Sequence, residues 1–117
     1  MSRYTAMPPD WCQPRGDGFW GVTLPLSWDI GKSGSGLTLT VPVGFTFDVS
    51  VPSWATWILP PRDRRFLKAA CLHDYTLLNG WDRVSAAAVF STALKADGVG
   101  RGKRLVMTLA VIIANWT

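Results

Sequence analysis

The stretch Arg64-Arg65-Phe66-Leu67-Lys68-Ala69-Ala70-Cys71-Leu72-His73-Asp74-Tyr75-Thr76-Leu77-Leu78-Asn79-Gly80 decides how this chain is read. Its spacing predicts a helix that stops at Asn79-Gly80, a pair suited to a helix C-terminus. At 3.6 residues per turn, Arg65, Lys68, Leu72 and Thr76 share one side, while Phe66, Ala69, Ala70, His73 and Leu77 share the other. The only histidine of the chain, His73, therefore falls with Asp74 beside the apolar side. Ionisable groups are costly there unless partnered. The question this sets is whether the pair is a reactive site or a buried tie.

Two further helices follow in the sequence. About Arg83–Ala96 is Ala-rich, with Asp82 placed as its N-cap and Asp97-Gly98 as its end. About Lys103–Trp116 is apolar nearly all round, with Leu105, Leu109, Ile112 and Trp116 as its stripe, and is expected to be the most buried element.

The first half reads differently. Residues 1–17 carry Pro8, Pro9, Pro14, Gly16 and Asp17, which suggests an irregular arm pinned by Trp11. Phe19–Trp28 alternates loosely around Pro25, as an edge strand does. Gly31–Gly36 is a turn or tip, and Leu37-Thr38-Leu39-Thr40-Val41 alternates as a half-buried strand. In Gly44–Pro52, an extended backbone puts Phe45, Phe47, Val49 and Val51 on one side. Thr46, Asp48 and Ser50 line the other. The expected fold is α+β: a small antiparallel β part over residues about 18–52 packed on three C-terminal helices, in a single domain spanning 1–117.

Composition narrows the chemistry. All eight acidic residues are Asp, so motifs that require Glu are excluded, including the His-Glu-x-x-His zinc helix. Net charge is +4, divided as −1 over residues 1–60 and +5 over residues 61–117. Arg62, Arg64, Arg65 and Lys68, with Arg101, Lys103 and Arg104, form a basic surface that is either solvated or turned to a polyanion such as nucleic acid. Seven Trp is a large number for a core of this size. Trp11, Trp20, Trp28, Trp54 and Trp57 are accordingly the candidate interface with another protein. Cys12 and Cys71 lack metal-type spacing; they read as two thiols of a reducing cytoplasm, with a single disulfide between them as the alternative. No signal peptide is legible at the N-terminus, and the longest apolar run, Leu105–Trp116, is well short of the ~20 residues that span a bilayer.

Candidate chemistry centres on His73 and Asp74, with Asp48 and Ser50 from the strand and Arg83 from the second helix. A hydrolase would use His73 as general base with Asp74 or Asp48 orienting it. A divalent metal would take Asp48, His73 and Asp74, a thin donor set with one His. Ser50 lacks a Gly-x-Ser-x-Gly elbow. Cys71 lies on a different helix face from His73, a poor arrangement for a dyad. The competing reading is a hydrogen-bonded hub, with no cofactor, that fixes helix to sheet.

Several segments together resemble one family. They are Gly44-Phe45-Thr46-Phe47-Asp48-Val49-Ser50-Val51-Pro52, Ala69-Ala70-Cys71-Leu72-His73-Asp74-Tyr75, Arg83 with Ala86, Ala87 and Phe90, and the closing helix Arg104–Ile113. They are similar to a small phage and prophage family of unknown function, domain-of-unknown-function family 1353, over about residues 37–114. Two departures stand out: Asp48 and Ser50 are one residue closer than in common members, and Ala87 replaces an Asp of the second helix. The resemblance implies a phage origin and carries no activity with it. The expectation is a non-enzymatic virion, assembly or host-interaction component, in the host cytoplasm or the particle, partnered by phage or host proteins or by further copies of itself. A hydrolase, acting for example on the cell wall, is the alternative, and nucleic-acid binding the weaker one.

Overall fold

A computed structural model describes residues 10–16, 19–31, 34–48 and 66–114. Five strands and three helices follow in order: β1 (Cys12–Gly16), β2 (Phe19–Val22), β3 (Leu26–Asp29), β4 (Thr38–Val41), β5 (Thr46–Asp48), α1 (Leu67–Leu78), α2 (Arg83–Ala96) and α3 (Arg101–Ala114). The fold is α+β, with antiparallel strands first and three helices last.

The strands form two small antiparallel sheets, β1-β2-β5 and β3-β4. In the first, Cys12 lies opposite Val22, Trp20 opposite Phe47 and Phe19 opposite Asp48. In the second, Leu26 pairs with Val41 and Trp28 with Leu39. Two expectations are corrected here. The end of the supposed irregular arm is strand β1, with Pro14 accommodated on a sheet edge and a register shift between Pro14 and Gly16. Phe19–Trp28 is not one edge strand: it breaks at Pro25 into β2, the central strand of its sheet, and β3 of the other.

Both of the first two helices end in the same device. Gly80 has φ +85° and Gly98 φ +84°, the left-handed region that glycine tolerates. Trp81 N–H donates to the Thr76 carbonyl at 3.0 Å and Gly80 N–H to Leu77 at 3.1 Å. Val99 N–H donates to Leu94 at 3.0 Å and Gly98 N–H to Lys95 at 3.1 Å. These are paired Schellman closures, each followed by an apolar residue, Trp81 or Val99, that packs back on the core. At the other end of α2, Asp82 is the expected N-cap: its carboxylate accepts from the Ser85 N–H and hydroxyl, both at 2.9 Å. Those bonds hold its pKa below the usual value.

One apolar cluster joins every element. Trp11 stacks on Phe47 at 5.9 Å between centroids, and Leu26, Val41, Leu67, Leu72 and Leu94 complete the centre. α1 packs against β5 and β4 on one side and α2 on another, so nearly its whole circumference is covered. This corrects two readings. The side carrying Leu72 and Thr76 is inside, not outside, and the Thr76 hydroxyl donates to the carbonyls of Leu72 and His73, both at 2.9 Å. α1, not α3, is the most buried helix. On α3 the inward residues are Met107 and Ala110, while Leu105, Leu109 and Ile113 face solvent.

Candidate functional site: a clamp between helix α1 and strand β5

Packing brings the second turn of α1 against β5, and there the acidic member of the His-Asp pair does its work. Asp74 Oδ2 accepts the backbone N–H of Asp48 at 2.9 Å. Asp48 is the last residue of β5, opposite Phe19 in the sheet, so its N–H would otherwise face the helix rather than a ladder partner. A carboxylate acceptor makes this a charge-assisted bond, stronger than an amide pair. The helix is thereby stapled to the strand end.

His73 points elsewhere. Its Nδ1 lies 3.8 Å from Asp74 Oδ1, too long for a hydrogen bond but within ion-pair range when the ring is protonated. Adjacent helix residues diverge by about 100°, which accounts for that gap. The imidazole instead meets the edge of Phe90 from α2, with centroids 5.6 Å apart and planes at 65°. It is 6% exposed. Asp74 thus spends one oxygen on β5 and turns the other toward a histidine wedged between α1 and α2. The Phe90 contact fixes the orientation of the ring. Access for a substrate to His73 is narrow.

The structure therefore gathers Asp48, Asp74 and His73 at one junction, the Asp48 contribution being its backbone N–H. Arg83 begins α2 and is half-buried. Ser50 lies outside the described residues. Among the described residues, no group of three or more His, Cys, Asp or Glu side chains comes together as a metal site. Ala87 is buried on α2, so that position of the second helix faces the protein interior. Cys71 is no nucleophile: burial, then Cys12 and Asp74 nearby, push its thiol far above the normal range. Cys12 and Cys71 both remain thiols, and both are buried.

Other expected surface residues are redistributed. Lys68 is not part of a basic surface: it is 8% exposed and its Nζ lies 3.3 Å from Asp97 Oδ1. Burial raises the Asp97 pKa, against the lowering pull of Lys68. The partners of this pair are 29 residues apart, so no local pattern in the sequence connects them. Trp11 and Trp28 are core residues and cannot serve as interface; Trp20 is half-buried. Trp54, Trp57, Arg62, Arg64 and Arg65 lie outside the described residues. Arg101 and Lys103 are exposed, and Arg104 is half-buried. Among the described residues, no helix is long and apolar enough to cross a membrane.

The antiparallel strands precede the three helices, and Asp74 ties the two parts together where α1 meets β5. The chain belongs to the family described as "Protein of unknown function (DUF1353)", which matches residues 20–111, from β2 into α3. No curated protein and no solved structure matches it.

Proposed function

We propose that this is a non-catalytic, phage-encoded protein that works by assembly, as a component of the virion, of its construction, or of contact with the host. The observation carrying this reading is the outward row of α3, where Leu105, Leu109 and Ile113 are exposed on a helix that Met107 and Ala110 hold to the core. A contiguous apolar row at the surface is the kind of feature that marks a protein contact site. The polar junction, by contrast, is spent on architecture: Asp74 is bonded to the β5 backbone and His73 is wedged beside Phe90. Trp20, Trp54 and Trp57 remain as further contact candidates.

The second reading keeps Asp48, His73 and Asp74 as a hydrolytic site, with Ser50 or a water as nucleophile. It is favoured by one observation, the Asp74 Oδ1 turned toward His73 Nδ1. Genetic complementation separates the two. In a phage or prophage deleted for this gene, His73→Gln and Asp48→Asn should restore particle yield if they fold, whereas Leu109→Asp should not. Loss of yield with folded His73→Gln and full yield with Leu109→Asp would replace assembly with catalysis.

A further inference from the structure

The corner where α2 gives way to α3 concentrates charge of one sign. Lys95 lies in the last turn of α2, and Arg101, Lys103 and Arg104 open α3, whose first turn holds no acid. From Arg83 to the end of the sequence there is one carboxylate, Asp97, and it is already held by Lys68 of α1 at 3.3 Å. Lys95, Arg101 and Lys103 are exposed and Arg104 is half-buried. None of the four has a carboxylate partner among the described residues. The backbone between them is bare: Gly98, Gly100 and Gly102 are exposed, and a Cβ placed on any of them would meet nothing within 4 Å. Helix residues turn by about 100° each, so Lys103 and Arg104 are rotated about 200° and about 300° from Arg101. The cations therefore ring the end of α3 instead of forming a stripe along it.

We infer that this corner binds the phosphate backbone of duplex DNA without regard to sequence. The inference goes beyond the assembly reading and stands without it. Four positive charges exceed the charge of a single phosphate group, so the complementary partner is a chain of phosphates. Contacts of this kind are driven by release of the counterions condensed on the polymer and need no deep pocket. The residue types also select the form of the polymer. Single strands are gripped by bases stacked on aromatic side chains, and no aromatic residue occurs between Ser91 and Asn115. Cations set against phosphates fix a protein on a duplex and carry no sequence information directly. A lipid surface is the poorer occupant. A helix lying in a bilayer interface carries cations along its polar face, whereas those of α3 are confined to one end.

The test uses the full chain and the fluorescence anisotropy of labelled DNA duplexes of two unrelated sequences. Both should bind equally, with a log–log salt slope of about −3 to −4, so that an increase in salt of about fourfold weakens binding by about a hundredfold. Arg101→Gln and Lys103→Gln should each reduce the slope by about 1 and weaken binding to both duplexes alike. Thermal unfolding of these variants should match the parent, because both side chains are exposed and lack a carboxylate partner among the described residues. Arg15→Gln removes an exposed cation from β1 and should leave slope and affinity unchanged, which separates the corner from the net charge of the chain. An equal loss with Arg15→Gln, or no binding of either duplex at low salt, overturns the proposal. So does polyglutamate that displaces the probe better than unlabelled duplex at equal charge, which would assign the corner to an acidic protein. Flotation with phosphatidylglycerol vesicles in place of duplex binding overturns it too, and would assign the corner to lipid.

Discussion

Replacing Asp74 by Ala tests whether the polar junction is architecture or chemistry. The substitution removes the acceptor that holds the Asp48 N–H at 2.9 Å and leaves that donor to whatever water can reach it. A hydrogen bond to a charged acceptor contributes about 1.5–3 kcal/mol, and stranding a buried donor costs about 1–3. The Asp74 side chain is 33% exposed, so solvent recovers part of the loss. The lower part of the range applies, about 1.5 kcal/mol. For a domain of this size that corresponds to a fall in Tm of roughly 6 °C. Asp74→Asn keeps an oxygen that can accept the same N–H, and should cost less than about 1 kcal/mol. Urea unfolding followed by Trp fluorescence, with far-UV circular dichroism to confirm a common fold, measures both. Reactive carboxylates behave in the opposite way, since their removal is often neutral or stabilising. Asp74→Ala with an unchanged or raised Tm, or Asn as costly as Ala, would refute the clamp.

Three other outcomes are expected. Burial raises the folded pKa of Asp97, so its share of stability is fully present below the unfolded value of 3.8 and is lost as pH rises through the folded value. Lys68→Met removes the cation that opposes this rise; the variant should lose about 2–4 kcal/mol at pH 7 and clearly less near pH 4, and a deficit that grows toward acid would contradict the pairing. Asp82 has the opposite sign, its pKa lowered by Ser85, so its cap is fully present above pH 3.8 and fades as pH falls through the lower folded value. Asp82→Ala should reduce Tm and helix content, with Asp82→Ser recovering most of both by circular dichroism. Cys71 should react with thiol reagents only at the rate of global unfolding, so its labelling should accelerate with urea in step with the fluorescence transition; fast labelling of native protein would place it outside the core.

What was legible in the sequence follows the range of the interactions. α2 was readable from end to end because its signals are local: the Asp82 cap, and Gly98 at the position only glycine fills cheaply. β4 and the glycine-rich turn before it were readable from clean alternation, but β3 was hidden inside a run read as one strand with β2. The two faces of α1 were not, because a helical wheel assumes one neighbour and α1 has sheet on one side and α2 on another. Lys68 looked solvated for the same reason; its counterion comes from the far end of α2. α3 was misjudged in the reverse sense. Apolarity all round suggested a central helix, yet the number of elements that cover a helix is set by topology, and α3 comes last, against α2. β1 was hidden by Pro14 and its polar neighbours, which an edge strand tolerates and a propensity count penalises. At the junction, the residues were legible but their division of labour was not, since the Asp74 bond goes to a backbone atom that no side-chain motif records.

The edge contact between His73 and Phe90 has a practical consequence. This chain has a single histidine, so its imidazole protons form one isolated pair of signals in a magnetic-resonance spectrum. The aromatic ring beside it shifts those signals away from their random-coil positions for as long as α1 and α2 stay seated together. The protein therefore carries its own reporter of that seam, readable without labels, against which each substitution and each candidate partner can be titrated.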